Sequence, residues 1–202
     1  MYICRTTYKV KLKKIILIFI AVVLVSFSFI EEKVDQDSID LKSSNVFWEG
    51  SNSFRNHRGI IKFKSGSIRI INSELKSGEF VVDMTTIFNR EGFKKLEEHL
   101  KSEDFFDVKK YPTAKFLITS VAQEFNKVKI SGDITIKGIT KNVTVSATIL
   151  ENDKAYIVRS GVFKLNRAEF NVRHLSKSFF KNLKDSFIED EVDVSFSIRL
   201  NK

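Results

Sequence analysis

The sequence predicts an all-β fold of many short antiparallel strands, a sandwich or an up-and-down barrel, with one short helix at an end. Apolar and polar residues alternate with period two through most of the chain after residue 45, as they do in strands buried on one face. Turn-forming residues cut that alternation at short intervals. A single segment has helical spacing instead. Many short antiparallel strands must hide their edges, and a chain with one cysteine has no internal disulfide to help, so sheet closure is expected.

The N-terminal 30 residues stand apart. Arg5, Lys9, Lys11, Lys13 and Lys14 precede the apolar run Ile15–Ile30, and no acidic residue occurs before Glu31. This is the layout of a signal peptide over 1–30, or of an N-terminal membrane anchor if it is retained. The run is short for a spanning helix, which needs about 20 residues. Ser26 and Ser28 set small residues two apart, as cleavage requires. The expected location is therefore exported, in the periplasm or cell envelope. Cys4 lies before the apolar run, which argues against a lipoprotein. Residues 31–44, EEKVDQDSIDLKSS, are polar and aperiodic and read as a flexible linker to a domain over 45–202. The formal net charge of +9 falls to +4 from Glu31 onward, spread along strand-like runs. Phosphate binding needs a concentrated basic face, so no nucleic-acid partner is expected.

Strand-like runs fall at 45–50, 57–64, 67–72, 79–84, 114–124, 127–137, 142–151, 154–165 and 190–201. The last is the clearest: Val192, Val194, Phe196, Ile198 and Leu200 share one face, and Asp193, Ser195, Ser197 and Arg199 the other. The expected turns are Ser65-Gly66, Lys76-Ser77-Gly78, Phe125-Asn126, Gly138-Ile139-Thr140 and Asn152-Asp153. Residues 90–101 put Phe93, Leu96 and Leu100 on one stripe, with Asn89 as N-cap, and predict a helix over one barrel end. Residues 174–187 carry Phe179, Phe180, Leu183 and Phe187 among charges and fit a short helix or an ordered loop.

Catalytic and metal chemistry find no pattern. His57, His99 and His174 are far apart and lack metal-ligand spacing. Neither a Gly-rich phosphate loop nor a GxSxG elbow occurs. Asp104 and Asp107 form an acidic pair, but such loops are solvated and no partner group is evident. No enzymatic activity and no metal are expected. Phenylalanine accounts for 19 residues, against 4 Tyr and 1 Trp. Phe suits a hydrocarbon cavity because it asks for no hydrogen bonds; ordinary core packing accounts for most of these residues.

Two stretches are more specific. Lys101–Phe116, KSEDFFDVKKYPTAKF, is an acidic aromatic loop closed by the only proline, Pro112, which confines Tyr111 to extended geometry and starts a strand. Gly132–Val145, GDITIKGITKNVTV, reads as a strand, a Gly138 turn and a strand. Together they resemble the YceI-like family of exported, lipocalin-like proteins that bind polyisoprenoids and related lipids. The resemblance runs from about Val46 to Leu200. The family's Trp on a first strand, with His and Gly on the next, is matched by Trp48, His57 and Gly59. Its aspartate, two aromatics and Tyr-Pro pair are matched by Asp104, Phe105, Phe106, Tyr111 and Pro112. Arg167 and Phe170 in NRAEF fit in outline, as do Phe179 and Phe180 in SKSFF, whereas Val172–Leu175 departs from the family's glycine-rich pattern. Arg167 is expected to pair with Glu169 or with a buried carboxylate.

The resemblance implies an extended lipocalin-like antiparallel barrel of about eight strands that sequesters or transports an isoprenoid or other long-chain amphiphilic lipid without catalysis. It implies no cofactor beyond such a lipid, for example an isoprenoid quinone or a polyprenyl chain. The residues expected at the lipid are Trp48, His57, Phe63, Phe105, Phe106, Tyr111, Phe116, Phe163, Phe170, Phe179 and Phe180. The expected partners are this hydrophobic ligand and, only through an uncleaved N-terminus, the membrane; a homodimer is left open. The competing expectation is a ligand-free envelope stress or interaction module whose barrel is filled by its own side chains.

Overall fold

The period-two runs form ten antiparallel strands of one sheet that closes on itself. The computed structural model describes residues 37–125 and 127–202. The expected signal or anchor at 1–30, the linker as far as residue 36, and Asn126 lie outside the described residues. In chain order the strands are β1 (Asp37–Ser38), β2 (Asn45–Ser51), β3 (Asn56–Ile71), β4 (Glu74–Asn89), β5 (Thr113–Glu124), β6 (Lys127–Ile136), β7 (Ile139–Glu151), β8 (Ala155–Ser160), β9 (Phe163–Asn166) and β10 (Glu191–Asn201). Among the described residues one α-helix, α1 (Lys94–Lys101), follows β4, and a 3-10 turn, Arg167–Phe170, follows β9.

Neighbours run β3-β2-β10-β8-β7-β6-β5-β4, and β4 pairs back onto β3. β8 and β9 lie end to end beside β10, so the closed barrel has eight strand positions, as expected. β1 adds a short extra strand along β3 beyond the start of β2. Asp37–Ser44, expected as linker, therefore belongs to the barrel. Ile39 is buried in the core, and the buried Ser44 hydroxyl accepts the Arg199 N–H at 3.0 Å. The polar composition around Ile39 concealed this anchor.

Two expected turns are absent. β3 runs unbroken through Ser65-Gly66 and β4 through Lys76-Ser77-Gly78; the hairpin between them turns at Asn72-Ser73, with φ of 51° and 63°. Positive φ at both central residues is type I′ geometry, which follows the natural strand twist. The two glycines serve packing instead. A Cβ on Gly66 would lie 2.8 Å from the Phe80 ring, and one on Gly78 3.2 Å from it. The β6–β7 hairpin turns at Lys137-Gly138, one residue earlier than expected. The expected strand 154–165 breaks at Gly161-Val162 into β8 and β9. The helix starts at Lys94 rather than at residue 90. Asn89 ends β4 fully buried, yet its Oδ1 accepts the Phe93 N–H at 3.0 Å, so it supports the helix entry from a distance. Residues 174–187 form an ordered loop.

The barrel is solid at one end and hollow at the other. Ile68, Leu75, Ile130 and Val158 are almost wholly buried and lie toward the end that carries the Asn72-Ser73 hairpin and the β5–β6 and β7–β8 turns. The opposite end carries the β6–β7 turn, α1, the 3-10 turn and the loop that leads into β10.

Candidate functional site: a blind apolar lumen

The hollow half encloses a lumen of about 210 Å³. Native cores leave few voids larger than a water, and an engineered apolar cavity of about 150 Å³ already takes up benzene. The barrel is therefore not filled by its own side chains. Alternation supplies the wall. Val192, Val194, Phe196 and Ile198 of β10 all line it, on the face that period two identifies. Phe80 and Phe116 stack in its wall with centroids 6.4 Å apart and planes 15° apart, and Phe63 leans on Phe80 at 6.0 Å.

Among the described residues, the charged residues lining the lumen are Arg167 and Glu189, and the half-exposed Glu189 carboxylate lies 3.6 Å from Lys177. Arg167 is 5 % exposed, and its guanidinium is spent on the protein itself. Nε donates to the Glu189 carbonyl at 3.0 Å, Nη1 to Val172 O at 3.1 Å and Nη2 to Ile188 O at 2.9 Å. Asp190 Oδ1 lies 3.2 Å from Nη2. Burial pulls the Arg167 pKa down, against the Asp190 charge. Burial also pushes the Asp190 carboxyl up, but hydrogen bonds from Ser176 and Ser178 and the Arg167 charge outweigh it and hold the group below its ordinary range. Of the two expected partners of Arg167 the buried carboxylate is the right one; Glu169 lies 3.9 Å from Lys141 instead.

Trp48 lines the lumen with its ring packed against Gly59, where a Cβ would come within 2.6 Å of the indole. Its buried Nε1–H has no hydrogen-bond partner among the described residues. His57, paired with Gly50 across the sheet, has an equally unpartnered Nδ1, 3.8 Å from Glu91 Oε2, and the edge of its ring meets Phe93.

Of the residues expected at the lipid, Trp48, Phe63, Phe105, Phe106, Phe116, Phe163 and Phe170 line the lumen. His57, Tyr111, Phe179 and Phe180 do not. Tyr111 lies under the Lys110 ammonium, Phe179 is 40 % exposed beneath Arg173, and Phe180 borders a separate outer cleft. The loops that carry Tyr111, Phe179 and Phe180 have no period, so the sequence held no cue to their direction. Ile61, Phe80, Met84 and Ala114 also line the lumen and were within reach of the strand alternation. Val172 and Ile188 come from loops with no such signal. Asp104, expected to lack a partner, has its Oδ2 3.3 Å from His99 Nε2.

The family model of the YceI-like domain matches residues 38–200. The chain belongs to the YceI-like family. Curated relatives of this YceI-like chain include a UPF0312 protein of Pseudomonas putida, 32 % identical over 120 residues, which are 58 % of this chain and 61 % of that one. Protein YceI of Escherichia coli O157:H7 is 34 % identical over 82 residues, 38 % of this chain and 43 % of that one. The chain thus spans less than two thirds of the length of these relatives. Among solved structures, BcnA of Burkholderia cenocepacia is similar with a TM-score of 0.68 at 26 % identity, covering 80 % of this chain and 98 % of its own. A polyisoprenoid binding domain from Saccharophagus degradans, implicated in plant cell wall breakdown, shares the fold with a TM-score of 0.61 at 13 % identity, over 81 % of this chain and 97 % of its own.

Proposed function

We propose that this YceI-like chain binds one isoprenoid or other long-chain amphiphilic lipid in its lumen and sequesters or carries it in the cell envelope without catalysis. The observation that carries this reading is the blind apolar lumen, closed at the solid end and walled almost entirely by hydrocarbon. A lipid enters it tail first from the end covered by α1 and the loops. Each methylene moved out of water is worth about 0.8 kcal/mol, so a tail of several prenyl units binds without any covalent step. At about 210 Å³ the lumen is smaller than ordinary ligand pockets of about 300–1,000 Å³. A long tail must therefore swing the Phe80–Phe116 stack aside. The Trp48 Nε1–H supplies an unused donor for an oxygen of the head group. The YceI-like membership and the polyisoprenoid binding of a domain with this fold support the choice of lipid; the N-terminal layout supports the envelope.

The test is uptake of a prenyl quinone, measured by solvent extraction and mass spectrometry, in the wild-type chain and in Ala114→Phe. Ala114 is buried in the lumen wall, and a phenyl ring there takes up the free space. One equivalent bound by the wild type and none by a folded A114F is the expected result. Equal uptake by both, or none by the wild type, overturns the reading.

A further inference from the structure

We propose that His99, Asp104 and His174 form a binding site for a divalent transition-metal cation such as Zn²⁺ or Co²⁺. Each offers one ligand atom, and these atoms all lie within 4.8 Å of one another. A tetrahedral ion with bonds of about 2.0–2.1 Å sets its ligand atoms about 3.3–3.4 Å apart. His99 Nε2 and Asp104 Oδ2, at 3.3 Å, already have that spacing. His174 must close by at most about 1.5 Å, which a change of side-chain rotamer supplies. Two imidazoles and one carboxylate are a donor set for zinc, cobalt, nickel or iron rather than for calcium or magnesium, which take all-oxygen shells.

The three residues come from different parts of the chain: His99 from the last turn of α1, Asp104 from the loop after it, and His174 from the loop after the 3-10 turn. One buried ring brings them together. Phe105 is 4 % exposed and lines the lumen; its outer side packs against His99 at 4.9 Å and His174 at 5.1 Å, and the two imidazoles meet edge to face at 4.7 Å. A rigid base of this kind limits the reorganisation that binding requires. Asp104 and His174 also line an outer cleft of about 550 Å³, so a fourth coordination position opens to solvent there and is taken by water. Lys137 and Arg173 share that cleft, but both are engaged: Lys137 Nζ donates to the Phe105 carbonyl at 2.6 Å, and Arg173 Nε to Asn171 Oδ1 at 2.5 Å. Glu103 lines the same cleft and adds negative charge. A bound ion would tie α1 and the Asp104 loop to the 171–175 loop. The site stands independently of what the lumen holds.

The chain contains 3 histidines, so imidazole NMR separates the candidates from the control. The full chain, without a histidine tag and in a Cys4→Ser background, is titrated with Zn²⁺ and then with paramagnetic Co²⁺. The expected result is that the His99 and His174 signals change together and saturate at one equivalent while His57 stays put. Affinity, measured by calorimetry, is expected to fall at least about tenfold in His99→Ala and in His174→Ala. Circular dichroism checks the fold of each variant, and Asp104→Asn, at an exposed position, serves as the milder change. Parallel changes at all three histidines, no change at millimolar Zn²⁺, or unaltered affinity in the folded variants overturns the proposal.

Discussion

Trp48 and Arg167 show how differently two polar groups are handled in the same wall. Arg167 donates to three carbonyls and pairs with Asp190 as an ion pair, so it is a fastener for the loop into β10. Arg167→Met keeps the stem but leaves a part-buried carboxylate and three acceptors without their donor. Denaturant unfolding is expected to show a loss of about 3–5 kcal/mol. Arg167→Lys should recover only part of that, since an ammonium lacks the planar fork. Trp48 is the opposite case, a buried donor with nothing to donate to among the described residues. An unmade hydrogen bond in such a place is worth about 1–3 kcal/mol. Trp48→Phe is therefore expected to weaken binding of a prenyl quinone about tenfold or more while leaving binding of a plain hydrocarbon of equal length nearly unchanged. Titration of both ligands by tryptophan-independent calorimetry checks this; an equal loss for both would make Trp48 a wall residue only.

At the scale of elements, glycine and turn geometry decide where strands begin, end and touch. Gly59 of β3 lets the Trp48 ring of β2 lie flat against the backbone, and a Cβ there would also collide with the Phe88 carbonyl of β4. Gly59→Ala is expected to cost about 1–3 kcal/mol by overpacking, read as a lower melting midpoint. Phe125 is a bulky, fully exposed side chain at φ 44° in the β5–β6 turn. Left-handed backbone suits Asn or Gly far better. Phe125→Asn is expected to raise stability by about 1 kcal/mol, again by denaturant unfolding, with no change in lipid uptake. The strand pattern made most of these elements visible in advance, since apolar and polar residues alternate through Val192–Leu200 of β10 and through Asn142–Ile149 of β7. The Gly66 and Gly78 positions misled because glycine marks either a turn or a close approach, and the Phe80 ring that decides between them comes from elsewhere in the hairpin.

For the molecule as a whole, the solid end is fastened by a polar tie outside the core. Glu151 of β7 accepts from Lys202 Nζ at 2.6 Å and from Ser73 Oγ at 2.6 Å, linking the C-terminus to the β3–β4 hairpin. The Lys202 hydrogen bond, with help from Ser73, lowers the Glu151 pKa from 4.5 to about 2. A depressed carboxylate stabilises the folded state above its unfolded pKa and loses that contribution as pH falls toward the folded value. The gap in melting temperature between the wild type and Glu151→Gln should therefore be present at neutral pH and shrink between pH 4.5 and about 2. A gap that persists at pH 2 would mean the tie is not ionic. Enlarging the lumen tests the barrel from inside. Phe80→Ala is expected to cost about 3–5 kcal/mol and to admit longer prenyl tails, measured by competition between quinones of different tail length.

The all-β class and the inward face of β10 were legible in the chain, because period two is a local property that survives folding; seven of the lumen-lining residues were named in advance through the family resemblance, and of these Phe105, Phe106 and Phe170 lie outside the strands. The motif around Asp104–Pro112 carried the family resemblance, and it lies at the hollow end of the barrel. What folding added are the relations between residues far apart in sequence: a lumen left open in one half and packed in the other, Arg167 committed to Asp190, and two histidines that spacing alone had kept apart now meeting beside Asp104 on the Phe105 ring. Free volume and convergence of side chains depend on how strands curve and loops return, and no local pattern encodes either.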